Sequence, residues 1–184
     1  MKEIFFKPKV VNKFDKYLEF KFAKIDDLSR VRNFYKSYWP YKNLITENPN
    51  FLLYEFGNNL NLNFLIAENK KTGFIESIIG FYFYSNDPLN KHVCGSMSLV
   101  KPKSKFPLLG VETLRRLKEL TNCVSYCGTN TNVISMLPLV KKYLNHHTAK
   151  MNHYFILNSE KKSFEIAIPD GQIMNENPNK NNKY

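Results

Sequence analysis

The 184-residue sequence predicts an α/β (α+β) fold, with a central mixed, mostly antiparallel sheet of about six to seven strands flanked by about four helices. Three observations predict it. Apolar residues alternate in several short runs, segments of helical spacing lie between those runs, and the runs in the middle of the chain are joined by short turns of the kind antiparallel neighbours use. Hydrophobic residues make up 43% of the chain, including 15 Phe and 11 Tyr, which is ample for one packed core in a chain of single-domain length.

The elements follow in order. Residues 1–17 form a mixed Lys/Phe/Val leader without a clear period. "YLEFKFAKI" (17–25) alternates as a first strand, with Leu18, Phe20, Phe22 and Ala23 as candidates for one face. "DDLSRVRNFYKSYW" then carries Leu28, Val31, Phe34 and Tyr35 at helical spacing behind an Asp26 or Asp27 cap, and Trp39-Pro40 ends the helix. A second short helix is expected in "NLITENPNFLLYEFGNN", capped by Asn50 or a neighbour and broken by Gly57-Asn58-Asn59. "LNFLIAEN", the turn "KKTG" and "FIESIIGFYFYS" read as a hairpin, and "HVCGSMSLV" as a third consecutive strand. "KSKFPLLGVETLRRLKEL" (103–120) passes through a proline into an amphipathic helix with Val111, Leu114, Leu117 and Leu120 on one stripe. "CVSYCG" is a short β-rich run, and "NVISMLPLVKKYL" is a helix expected to be kinked or shortened by Pro138. "NHYFILN" and "SFEIAI" close the domain as a hairpin. The domain is expected over 1–168, with 169–184, rich in Asn and poor in apolar residues, as a polar disordered tail or a linker to a further C-terminal domain.

Composition narrows the function classes. A net charge of +11 favours anionic partners such as phosphorylated cofactors, nucleotides, nucleic acid or an anionic surface. Lysine outnumbers arginine 23 to 4, which points away from bidentate base reading, so nucleic acid is a secondary hypothesis. The sequence contains no spanning hydrophobic stretch, and "MKEIFFKPKVVNKF" is not a secretory signal, so a cytoplasmic location with reduced Cys94, Cys123 and Cys127 is expected. Cys123 and Cys127 lack a second pair, and His92 and Cys94 lack further ligands at suitable spacing, so no metal site is expected.

This order of elements, with "MSLVKPKSKFPLLGVETLRRL" at its centre, resembles the GNAT acyltransferase fold, in which the fourth strand feeds a phosphate-binding turn and a helix. The family's turn reads Gln or Arg, two residues, Gly, one residue, Gly or Ala. The matching positions here are Lys105, Leu108 and Gly110, so the last glycine alone survives. The resemblance implies acetyl-CoA, or another acyl-CoA, as cofactor, held by Leu99, Val100, Lys101, Lys105, Leu108, Leu109, Gly110, Val111 and Asn132. A helix N-terminus offers unpaired amides and the positive end of a dipole, Pro107 suits a first helical turn, and Lys101, Lys103 and Lys105 precede it.

A narrower resemblance, over about residues 20–168, is to the N-terminal acyltransferase-like domain of bacterial surface-polysaccharide biosynthesis proteins, carried by "SYWPYKNLITENPNFLLYEF", "CGSMSLVKPKSKFPLLGVETLRRL" and "KMNHYFILN". It implies acylation of a small-molecule amine, a nucleotide-linked amino sugar. Direct transfer needs a group that polarises the thioester carbonyl, a base for the amine and an acid for the leaving thiolate. The resemblance places the first at the amide of Leu99 or Val100. The family's tyrosine acid, seven residues beyond Asn132, falls on Leu139 and is absent. His153 is the first replacement candidate, followed by Tyr154, Tyr143, His146 and His147; Glu76 is a candidate base acting through water. Cys127 reads as a thiol without a base beside it, and Trp39 as core or cleft lining. A non-catalytic GNAT-like binding domain and a basic nucleic-acid-binding module are the alternatives. Strand edges at the ends of the sheet leave a homodimer open.

Overall fold

The computed structural model describes residues 12–39, 44–85, 87, 89–128, 136–147 and 149. His153, Tyr154 and Asn132, the closing hairpin and the polar tail lie outside the described residues. The described elements all belong to the first of the chain's two units, Met1–Thr148.

Strand β1 (Leu18–Lys24) passes through a 3-10 turn, Ile25–Asp27, into helix α1 (Leu28–Tyr38). Val31, Phe34 and Tyr35 form the buried stripe of α1, as their spacing requires. The single helix expected next is two, α2 (Leu44–Glu47) and α3 (Pro49–Phe56). Asn48 separates them: its amide closes α2 on the Leu44 carbonyl at 2.9 Å, and its side chain accepts from the amides of Asn50 and Phe51 at 3.0 and 3.2 Å. Asn48 is therefore the cap, in place of Asn50, and Pro49 occupies the first helical position, where a missing N–H costs nothing.

Strands β2 (Gly57–Asn58), β3 (Asn61–Asn69), β4 (Ile75–Phe83) and β5 (His92–Val100) follow, then α4 (Leu109–Thr121), β6 (Ser125–Gly128) and α5 (Met136–Leu144). Pro138 falls in the first turn of α5, where it breaks no helical hydrogen bond, so of the expected kink or shortening the kink does not arise, and residues 132–135 of the expected helix lie outside the described residues. The six-stranded sheet runs β1-β3-β4-β5-β6, with β2 paired to β3. All pairs are antiparallel except β5 with β6, and the crossover that a parallel pair needs is supplied by α4. Among the described residues no helix is long and apolar enough to cross a membrane.

The sheet is covered on both faces. Val31, Phe34 and Tyr35 of α1 and Leu52 and Phe56 of α3 pack on Leu62, Phe64, Ile66 and Ile78. Leu114 and Leu117 of α4 pack on Leu65, Ile79, Phe81 and Val93 of the other face. Burying these side chains is the main stabilising term, at about 1.5–3 kcal/mol for each large one. In β1, Leu18 and Phe20 serve the α4 side, whereas Ala23 joins the opposite cluster across a register shift.

The leader, which had no readable period, contributes to the core. Phe14 is buried against Leu18, Ala67 and Leu109. Asn12 Nδ2 donates to Glu112 Oε1 (2.8 Å), and Arg116 Nη2 donates to both oxygens of Asp15 (2.6 and 2.7 Å). These bonds tie the turn at 12–17 to the first two turns of α4.

Glu112, 7% exposed, also accepts from Arg115 and Arg116 at 2.7–2.9 Å. Burial alone would raise its carboxyl, but the two guanidinium groups outweigh burial and hold it below its ordinary value of 4.5. A depressed carboxyl stabilises the fold above its unfolded value, and that contribution is lost as pH falls through the folded value. Thermal midpoints are expected to fall below about pH 4.5, and Glu112→Gln should remove part of that acid dependence while lowering stability at pH 7 by about 1–3 kcal/mol.

Candidate functional site

Strand β5 is irregular where it matters. Ile78 pairs with Leu99 and Gly80 with Ser96, so Met97 and Ser98 together oppose Ile79. This is a β-bulge, and Met97 takes the left-handed conformation at φ 51°. The buried Tyr35 hydroxyl donates to the Met97 carbonyl at 2.5 Å and anchors the bulge to α1. Burial, with Tyr82 nearby, pushes the Tyr35 phenol well above its ordinary value, so it remains a donor.

The bulge sets which amides are free. The Lys101 amide donates to the Glu76 carbonyl (2.9 Å), so by alternation Leu99 also faces β4 while Val100 turns its N–H the other way. On that other side β6 pairs with β5 only from His92 to Gly95, and no described residue pairs with β5 beyond it. Gly95 makes room there for Tyr126: a Cβ would lie 2.1 Å from its hydroxyl, so the ring would have to move. Between the two expected candidates, the geometry thus leaves the Val100 amide, and not that of Leu99, facing the open edge.

A cleft of about 340 Å³ starts at this edge and runs over the N-terminus of α4, lined among others by Val100, Lys103, Phe106, Gly110, Val111 and Leu139. Leu108 precedes the helix with φ 62° and ψ 19°, the left-handed conformation that glycine adopts most easily. Its carbonyl accepts the first helical bond, from the Glu112 amide at 3.0 Å. The Gly110 and Val111 amides have no acceptor among the described residues. A Cβ on Gly110 would stand 3.2 Å from Val100 Cγ2, so glycine lets the helix start close against β5. Thr113 holds the first turn in place, donating to the Leu109 carbonyl (2.8 Å) and lying 2.9 Å from the Ser77 hydroxyl of β4. Free amides, a dipole end and the exposed Lys103 and Lys105, neither ion-paired to a described residue, suit a phosphate-bearing anion.

The other candidates fall in different places. Lys101 is not a free cation: its Nζ lies 3.7 Å from the Glu76 carboxylate. Glu76 is nearly buried; its neighbour Ser77 turns toward Thr113 of α4, so alternation puts Glu76 on the α1–α3 face, beside a register shift that sequence alternation alone does not resolve. Leu139, at the position the resemblance reserves for tyrosine, does line the cleft, without a proton to give. Tyr143 stands one turn further along α5, half-exposed, with Lys142 Nζ 5.5 Å from its ring centroid. His146 stacks on Tyr126 (5.3 Å), and burial and the Lys118 charge push its imidazole down; His147 is exposed. Cys127 Sγ lies 3.5 Å from the Tyr84 hydroxyl, His92 bonds Ser125 at 2.6 Å, and no described group of side chains could hold a metal. Trp39 packs edge-on against Tyr35. Sequence reasoning gave no site role to Tyr35, read only as part of a helical stripe, or to Met97 and Phe106, which lie inside the quoted 97–117 stretch at positions its pattern does not specify.

No family model matches the chain, and no curated protein matches it in sequence. Solved structures match its fold. An aminoglycoside acetyltransferase from an uncultured soil metagenomic sample, in complex with trehalose, is 11% identical at a TM-score of 0.58, over 79% of this chain and 100% of that one. AAC(6')-Iy bound to a bisubstrate analogue of CoA and monomethyl-acetylneamine matches at 0.55 and 11% identity, over 77% and 99%. AAC(6')-Iy in complex with CoA matches at 0.54 and 13% identity, over 76% and 95%. The fold of this chain is that of the GNAT acetyltransferases.

The left-handed Leu108 yields a test of the turn. Its side chain is 41% exposed and loses little on truncation, while the conformation itself costs about 1–2 kcal/mol in a residue with a Cβ. Leu108→Gly should leave the thermal midpoint unchanged or raised, and the β-branched Leu108→Val should lower it.

Proposed function

We propose that this chain is an acyl-CoA-dependent N-acyltransferase acting by direct transfer on a small-molecule amine. The observation that carries the reading is the junction along one cleft of three amides without an acceptor among the described residues, that of Val100 in β5 and those of Gly110 and Val111 in α4. Neighbours of the same fold have CoA or a CoA bisubstrate analogue bound. Acyl-CoA supplies an activated thioester. The α4 amides and the lysines around them bind the diphosphate, and the Val100 N–H donates to the thioester carbonyl oxygen, where negative charge develops. Glu76, on the α1–α3 face, takes up the amine's proton through water. Return of a proton to the sulfur falls to His153, Tyr154 or Tyr143, since Leu139 has none to donate. The narrower acceptor, a nucleotide-linked amino sugar in surface-polysaccharide biosynthesis, rests on the sequence resemblance and on the +11 charge, which suits a second phosphorylated ligand. Leu139 favours one other reading, a domain that keeps the cradle and binds acyl-CoA without turnover.

Thermal-shift titration tests the cradle. A ligand that binds the native state alone stabilises by RT ln(1 + [L]/Kd), about 2.7 kcal/mol at a hundredfold excess over Kd. Acetyl-CoA and CoA should give a saturable shift that ATP does not reproduce, and Gly110→Glu should abolish it; no shift at millimolar acetyl-CoA would overturn the proposal. Val100→Pro removes the proposed carbonyl donor at a position whose N–H makes no ladder bond to any described residue. It should keep cofactor binding and lower kcat by about 10²–10³ with any amine that is turned over.

A further inference from the structure

A second cleft, of about 400 Å³, adjoins the first, lined by Lys13, Phe14, Tyr17, Lys105, Phe106 and Pro107. Phe106 lines both. The floor is aromatic: the rings of Tyr17 and Phe106 lie 6.1 Å apart and tilted at 45°. The rim is basic. Lys13 Nζ sits 5.2 Å from the Phe14 centroid and Lys16 Nζ 5.2 Å from that of Tyr17. Neither they nor Lys105 forms an ion pair with a described residue. One wall, the turn at 12–17, is clamped to α4 by Asp15 with Arg116 and by Asn12 with Glu112, and Lys70 Nζ donates to the Asp15 carbonyl at 2.6 Å. The other wall is the loop that leads into α4. Both clefts are therefore built on one helix, at a fixed separation.

Aromatic rings under unpaired ammonium groups suit a planar base that carries a phosphate: the base stacks on the rings, and the lysines meet the charge. Resting on the acyl-CoA reading, we infer that this second cleft holds the adenosine 3′-phosphate end of the coenzyme, with Tyr17 and Phe106 against the adenine and Lys13 toward the 3′-phosphate. A molecule whose diphosphate lies on the Gly110 and Val111 amides reaches the cleft directly past Phe106. The N-terminal turn thereby becomes part of the binding site and not a lead-in to the sheet.

Calorimetric titration of the full chain with CoA, dephospho-CoA and S-acetyl-4′-phosphopantetheine tests this, with circular dichroism to confirm that variants fold. Wild-type affinity should fall about ten-fold on loss of the 3′-phosphate and about ten-fold again on loss of the adenosine. Lys13→Glu should weaken CoA about ten-fold and leave dephospho-CoA within about two-fold. Tyr17→Ala should weaken CoA and dephospho-CoA alike and leave the phosphopantetheine ligand unchanged. Equal wild-type affinity for all three ligands, or variants that affect all three equally, would overturn the inference alone. Absence of binding by every ligand would overturn the acyl-CoA reading and this inference together.

Discussion

The hydrogen bond from the buried Tyr35 hydroxyl to the Met97 carbonyl is the constraint on which the site depends. It holds one extra residue in β5, and one residue is enough to exchange the two faces of everything beyond it. With the bulge, Val100 packs toward Phe14 and Leu109 and presents its amide at the free edge, while Leu99 packs with the α1–α3 cluster and bonds to β4. Without it, these assignments would invert, the approach of Gly110 to Val100 would be lost, and α4 would start against a different surface. A core contact of α1 thus determines what a cleft on the other side of the sheet offers a ligand.

The helix start shows how a phosphate cradle can persist when its sequence signature fades. The resemblance asks for glycine at 108, and the chain has leucine, but the backbone there is left-handed as glycine would allow. The strain is about 1–2 kcal/mol, small beside a core of large apolar side chains and offset where Thr113 and the Asp15–Arg116 and Asn12–Glu112 bonds fix the surrounding turn. What a phosphate meets is backbone N–H, which the side chain at 108 does not supply, so conformation survives a substitution that pattern matching registers as a loss.

Much of this was legible in the sequence. The hairpin of β3 and β4, the run of β5 and the Val111, Leu114 and Leu117 part of the α4 stripe follow from period alone, because their apolar faces are continuous and their turns short; Leu120, expected on that stripe, is instead 45% exposed in the last turn, where Thr121 is buried. Asn48 was obscured by the asparagines around it, and the turn at 12–17 by partners about a hundred residues away, which no local pattern encodes. At the site, Gly110 and the lysines were visible as composition, but the choice between Leu99 and Val100 was not. It turns on a bulge at Met97, a residue that carries no glycine signal, and on the Lys101 amide bond to Glu76. The face of Glu76 was hidden for the same reason, by the register shift beside it.

The measurement that bears most directly on the account is a titration of backbone amide resonances with CoA, in the protein labelled with nitrogen-15. A phosphate cradle at the start of α4 predicts saturable, downfield proton shifts at Gly110 and Val111, larger than at any amide of α1 or α3, because charged acceptors then bond to N–H groups that have no acceptor among the described residues. Unmoved Gly110 and Val111 resonances at CoA concentrations that saturate other sites would contradict it and leave the left-handed turn at Leu108 as a connection only.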